Sequence, residues 1–238
     1  MPKMPLMSPL SLGVVLAVLL AGNLTGCQAE RQEHGDVPRE ATGGFGPLSA
    51  TSGVGSFMMM RDPVPASSED GATWTGSFGS YLLCLREADT DVELQSVGWE
   101  ADDDAPPETV EAWLRLVDSS TEPTIPFVSK RGYPWDPSPG REAEPGDYTQ
   151  DIAGHAVTQT CDELERSASP QGRTEFTELV FILTVGEEGG ELRNGHIDYL
   201  ADGQPYRLVI DWKMGMCGSA IVARDEAAGD DSECVGQY

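Results

Sequence analysis

The sequence predicts an all-β protein: a single antiparallel β-sandwich of eight or nine short strands, placed behind an export signal and a flexible tether. Three observations predict it. From residue 54 onward, apolar residues recur with a period of two or in short unbroken runs, and turn signals interrupt them about every ten residues. No long stretch carries the 3.6-residue period of a helix, and no internal repeat is present. Four cysteines follow residue 80, an even count that in an exported chain reads as two disulfides.

The N-terminus supplies the export signal. Lys3 gives a short basic region, and residues 10–20 form an apolar run too short to span a bilayer. Small residues follow, then Leu24-Thr25-Gly26-Cys27. That tetrapeptide resembles the lipobox of bacterial lipoproteins, an aliphatic residue and two small residues before a Cys. The resemblance implies cleavage after residue 26 and a diacylglycerol on Cys27, with further acylation such as palmitate. Two or more acyl chains anchor stably where one does not. Residues 27–53 are then the lipidated Cys and a polar, Gly-rich tether. The sandwich is expected over 54–223, and 224–238 form an acidic tail tied by a disulfide.

The strands are read in order. Residues 54–60 are a short apolar run stopped by Asp62-Pro63. Residues 77–86 (SFGSYLLCLR) are apolar on both faces at their centre, as in a buried sandwich strand. Residues 88–91 are a turn and 92–99 alternate, so 77–99 reads as a hairpin. An acidic breaker, 101–107, precedes 108–117, where Val110, Ala112, Leu114 and Leu116 alternate as in a strand, although the Pro-Glu start would also suit a helix N-terminus. Residues 129–150 hold four Pro and three Gly, a long exposed loop. A short strand over 154–160 and one helical turn over 162–166 come next. Residues 174–185 are the most apolar strand. Residues 195–213 read as a second hairpin with an Asp202-Gly203 turn, and 218–223 as a possible last strand.

Two of these segments, 80–85 (SYLLCL) and 195–218 (GHIDYLADGQPYRLVIDWKMGMCG), resemble immunoglobulin-like domains of uncharacterised actinobacterial lipoproteins. There a Cys-bearing early strand and a late strand running into a Cys frame the domain. The resemblance covers 77–99 and 174–217, implies an immunoglobulin-like sandwich and brings no activity with it. Arg outnumbers Lys twelve to three, a bias in keeping with a high-GC source. Trp99 lies 15 residues after Cys84, but no Tyr stands two before Cys161 or Cys217, so the tyrosine corner of antibody domains is missing.

With Cys27 set aside, Cys84, Cys161, Cys217 and Cys234 allow three pairings. The favoured one joins Cys217 to Cys234, holding the tail, and Cys84 to Cys161. A redox pair would want C-x-x-C, which the sequence lacks.

The chain has 238 residues and a net charge of -25, with 15 basic and 40 acidic residues. That charge argues against a sequence-independent role on nucleic acid, since phosphates need basic patches, and no nucleic acid is expected as a partner. It also argues against docking of the protein part onto anionic lipid. G-x-S-x-G, S-x-x-K, Walker A and G-x-G-x-x-G patterns are missing, so the sequence leans away from an enzyme. An unrecognised envelope hydrolase built on a carboxylate pair is the remaining catalytic alternative. The three histidines, His34, His155 and His196, show no metal-ligand spacing and read as partly exposed polar residues.

Met58, Met60, Met214 and Met216 are weak candidates for Cu(I), which thioethers bind, against a reading as core residues. Acidic runs at 89–93, 102–104 and 230–231 could hold Ca²⁺ but match no calcium loop. No cofactor is expected beyond the diacylglycerol on Cys27. The best binding candidates are Tyr133, Trp135 and Tyr148 on the Pro-rich loop, aromatics suited to a glycan or a protein. Trp135→Ala is expected to weaken binding at an unchanged melting temperature. The expected function is therefore a non-enzymatic, acidic binding or structural protein at the cell envelope. It would be anchored by lipid to the extracytoplasmic face of the cell membrane, with a cell-envelope protein or glycan as partner. Extracytoplasmic copper or calcium handling is the alternative.

Overall fold

Two sheets share one buried layer of side chains. The computed structural model describes residues 39–42, 46–51, 57–59, 73–118, 123–137, 141–168, 172–173, 175–228 and 234, all within one unit spanning 36–238. The strands are β1 (Arg39–Thr42), β2 (Leu48–Thr51), β3 (Phe57–Met59), β4 (Trp74–Leu85), β5 (Val92–Ala101), β6 (Thr109–Asp118) and β7 (Ser129–Arg131). They continue with β8 (Asp147–Thr149), β9 (Ala156–Val157), β10 (Glu175–Val185), β11 (Gly190–Ala201), β12 (Gln204–Ile210) and β13 (Met214–Met216). Two helices are α1 (Cys161–Arg166) and α2 (Ser219–Ala228). Among the described residues no helix is long and apolar enough to cross a membrane.

The first sheet runs β2-β4-β10-β6-β8, with β7 on the free part of β4. The second runs β1-β12-β11-β13-β3, with β5 on the other side of β11 and β9 beyond it. Pairing is antiparallel except for β1 on β12 and β3 on β13, which are parallel, so the sandwich is mixed at its margins. Phe78, Tyr81, Leu83, Leu179, Phe181 and Leu183 of the first sheet meet Leu94, Leu192, Ile197, Tyr199, Leu208 and Ile210 of the second in one buried cluster. Trp99 packs against it from β5, its ring edge-on to Phe181 at 6.4 Å.

A bulge explains why 77–86 looked apolar on both faces. Leu179 pairs with Tyr81 and Phe181 with Phe78, so Gly79 and Ser80 together oppose Val180. The extra residue shifts the phase: Phe78 points inward, and so do Tyr81 and Leu83. Leu82 and Cys84 turn to the outer face, where Val117, Phe176 and Leu164 of α1 cover them. Ser80 sits at φ 69. Its N–H donates to Glu178 Oε1 at 2.6 Å and its hydroxyl to the Phe127 carbonyl at 3.1 Å, which hold a conformation unfavourable for a non-glycine residue.

α1 is a single capped turn. Thr160 accepts from the Glu163 N–H, and Glu163 Oε2 accepts from the Thr160 N–H in return. The disulfide Cys84–Cys161 fixes it to β4, and Cys217–Cys234 closes the second loop, which is the favoured pairing. The β11–β12 hairpin turns at Asp202 and Gly203, both at positive φ, as the Asp-Gly signal requires.

Four expectations are corrected. Residues 77–99 are not a hairpin: β4 lies in the first sheet and β5 in the second, because β4 already has β10 on one side and β2 and β7 on the other. Residues 218–223 are not a strand but the start of α2, which buries Ile221 against the Cys217–Cys234 bridge. The span read as tether contains β1 and β2, with Leu48 fully buried. The loop 129–150 is not wholly exposed; it contains β7 and β8 and buries Lys130. The lipobox, Cys27 and residues 1–38 lie outside the described residues.

Candidate ligand-binding face

The outer faces of the two sheets differ. That of the second sheet is polar over β5, β11 and β12, where Asp198 accepts two bonds from Arg207 at 2.7 and 2.9 Å and one from Ser96 and His196 lies over Gly98, and is covered at β3 and β13 by α2 and the Cys217–Cys234 bridge. The outer face of the first sheet is covered by α1 at one end and, at the other, by residues 123–137 and 141–150. This strap crosses the sheet and carries the three predicted aromatic residues.

The strap is held by charged groups taken out of water. On β6, Val110, Ala112, Leu114 and Leu116 pack toward the core, which turns Glu111, Trp113 and Arg115 outward. Arg115 is fully buried. Its Nη1 donates to Glu178 Oε2 at 2.7 Å and its Nε to the Pro145 carbonyl at 2.8 Å. Its guanidinium lies over the rings of Phe127 and Phe176 at 5.5 and 5.4 Å. Nη2 finds no acceptor among the described residues. Burial pushes the Glu178 carboxyl up to about 7, against the opposing pull of Arg115 and the Ser80 N–H.

Lys130 of β7 is the second anchor. Its buried ammonium donates to the carbonyls of Pro134 at 3.1 Å and Glu142 at 2.7 Å, which joins the two limbs of the strap. Ser77 Oγ donates to the Gly132 carbonyl at 2.6 Å, and the Glu144 N–H to that of Pro134 at 2.8 Å.

These anchors bring the aromatics together. Trp135 is the hub: its ring lies 5.0 Å from Tyr133, nearly parallel, 5.1 Å from Tyr148, edge-on, and 4.7 Å from Trp113, tilted. All four rings are half-buried, so each keeps part of its surface in solvent. Tyr148 donates to the Glu144 carbonyl at 3.2 Å, and burial holds its phenol well above the usual range, so it stays a neutral donor. At the rim, Glu111 Oε2 accepts from the Trp113 indole N–H and from Gln150 Nε2, both at 3.1 Å. Between the strap and the end of β6, Leu116, Asp118, Pro123, Ile125, Pro145 and Asp147 line an open groove of about 610 Å³, with Ile125 62% exposed.

The sequence reading found Tyr133, Trp135 and Tyr148 but missed Trp113, Glu111 and Gln150. The signal for Trp113 was present: it sits on the face of β6 opposite the alternating apolar residues. The expectation that Trp135→Ala leaves the melting temperature unchanged is revised, because Trp135 packs against three rings and against the cluster of Phe127, Val180 and Ile182.

The methionines are arranged differently from the weak copper grouping. Parallel pairing sets Met216 opposite Met59 and Gly215 opposite Met58. Met59, Met214 and Met216 therefore enter the core, while Met58 lies on the other face by the Cys217–Cys234 bridge. Met60 lies outside the described residues. Among the described residues no three His, Cys, Asp or Glu side chains converge as a metal site. His155 and His196 are half-buried, and desolvation lowers the pKa of both. No protein-family model, curated protein or solved structure matches the chain.

Proposed function

We propose that this chain is a non-enzymatic binding protein of the cell envelope, held by a diacylglycerol on Cys27 to the extracytoplasmic face of the cell membrane. In this reading the aromatic face around Trp135 is the part offered to an envelope partner. One observation carries it: four half-exposed rings are immobilised on a rigid sheet by a buried ion pair and a buried ammonium. Rigid aromatics lose little conformational freedom on binding, which is what makes such rings effective anchors. The sandwich behind them resembles, in sequence, immunoglobulin-like lipoprotein domains, and the charge of -25 keeps the molecule soluble and away from nucleic acid.

The test has two parts. Cys27→Ala should move the protein from the membrane fraction to the soluble fraction. Binding of the chain to isolated envelopes should saturate and fall at least tenfold when Trp113 and Trp135 are both replaced by Leu, with native far-UV circular dichroism. Envelope binding that ignores the double replacement would refute the assignment of the face.

A further inference from the structure

We infer that the ligand of the aromatic face is a neutral or cationic carbohydrate rather than a peptide. This rests on the reading that the face is the binding site. Three features of the rim select a sugar. First, the half-exposed rings offer flat apolar surface of the size of a pyranose, whose C–H face packs on aromatic π-faces. Second, the hydrogen-bonding groups beside the rings are of mixed kind. Glu111 uses only Oε2 on Trp113 and Gln150, so Oε1 takes no bond among the described residues. Gln150 is exposed and spends one N–H on Glu111, which leaves its carbonyl and its second N–H. Hydroxyls both give and accept hydrogen bonds, and two neighbouring hydroxyls can serve a carboxylate oxygen and an amide together. Third, the edge of β6 that a peptide strand would need is taken at Leu114, Arg115 and Leu116 by β8, which offers in its place an edge of only three residues. A peptide laid there would leave main-chain amides without partners, which a polyhydroxy ring does not carry.

Charge narrows the class. The Glu111 carboxylate stands at the rim, the Glu144 carboxylate acts on the Tyr148 phenol, and the chain carries -25, so uronic or phosphorylated glycans are repelled, while neutral or amino sugars are accepted. The face is shallow, so affinity for one short oligosaccharide is expected on the order of 0.1–1 mM.

The experiment is a tryptophan-fluorescence titration of the purified full-length chain. The probes are an N-acetylglucosamine tetramer, its deacetylated cationic form, a tetragalacturonate and an alternating Ala-Pro decapeptide. The two non-acidic sugars should give saturable shifts, and the tetragalacturonate and the peptide none. Gln150→Ala, which shortens an exposed side chain and removes no ring, should weaken sugar binding about fivefold at an unchanged melting temperature. Binding of the peptide in place of the sugars, confirmed by titration calorimetry and lost by that same readout in the Trp113→Leu/Trp135→Leu protein, would overturn the carbohydrate class and keep the face. Tetragalacturonate binding as tight as that of the neutral tetramer would overturn the charge selection. Silence toward every probe, together with envelope binding that ignores the double replacement, would overturn both the class and the face.

Discussion

Arg115 and Glu178 are not equal partners, and replacing them one at a time should show it. A guanidinium cannot give up its proton, whereas a buried carboxyl can take one up. At pH 8 both are charged, since burial brings Glu178 only to about 7. Glu178→Leu leaves the guanidinium of a side chain with no exposed surface without a counter-ion, and removes the acceptor of the Ser80 N–H. That should cost about 3–5 kcal/mol. Arg115→Met keeps most of the volume between Phe127 and Phe176 and loses the bond to the Pro145 carbonyl, worth about 1 kcal/mol. Glu178 then protonates. Neutralising at pH 8 a group that titrates near 7 adds only about 1 kcal/mol more.

The sign with pH follows from the same carboxyl. Its folded pKa lies above the ordinary 4.5, so its contribution to stability is complete below 4.5 and lost as pH rises through the folded value. The deficit of Arg115→Met should therefore be smaller at pH 6 than at pH 8, and the Arg115→Met/Glu178→Leu double variant should be more stable than Glu178→Leu alone. Urea unfolding with the disulfides intact measures all three. An Arg115→Met as costly as Glu178→Leu, with a deficit equal at both pH values, would refute the argument from unequal partners.

Trp135→Ala removes three ring contacts and should cost about 2–4 kcal/mol, lowering the melting temperature in a calorimetric scan by on the order of 5–10 °C. An unchanged temperature would mean the rings do not support one another. Opening Cys84–Cys161 by a double Cys→Ala change should destabilise more than opening Cys217–Cys234, about 4–5 against 3 kcal/mol from chain entropy over separations of 77 and 17 residues. Chemical denaturation of the two variants gives the order directly. Gly79→Ala should destabilise by more than about 1 kcal/mol, because its Cβ would stand 2.6 Å from the Phe127 carbonyl and 2.9 Å from Glu178 Oε1. A neutral change would show that the strap shifts freely.

The parts of the fold that were legible in the sequence are those fixed by local rules. Alternation in β6, the Asp-Gly turn and the two-faced apolar run of β10 all reflect contacts between near neighbours or the burial of a whole strand. The hairpin reading of 77–99 failed because adjacency in sequence says nothing about whether both edges of β4 are taken by distant strands. Residues 218–223 misled because a short apolar run has too few residues to show a helical or a strand period. At the candidate face, the aromatic side chains of the strap stood out as exposed-loop aromatics. Lys130 and Arg115 gave no local sign, since their partners are main-chain carbonyls at 134, 142 and 145 and a carboxylate 63 residues away.

The unequal covering of the two sheets also sets which amides exchange with solvent first. β10 has hydrogen-bonded neighbours on both edges, the shared core on one face and α1, the strap and Arg115 on the other. Its amides can exchange only when the whole domain opens, so they report the global unfolding free energy. β5 and β12 keep a polar, partly solvated outer face, and their protons should leave through smaller, cheaper fluctuations. Deuterium uptake would thus read as a gradient through the sandwich, slowest at the strand with no wet side.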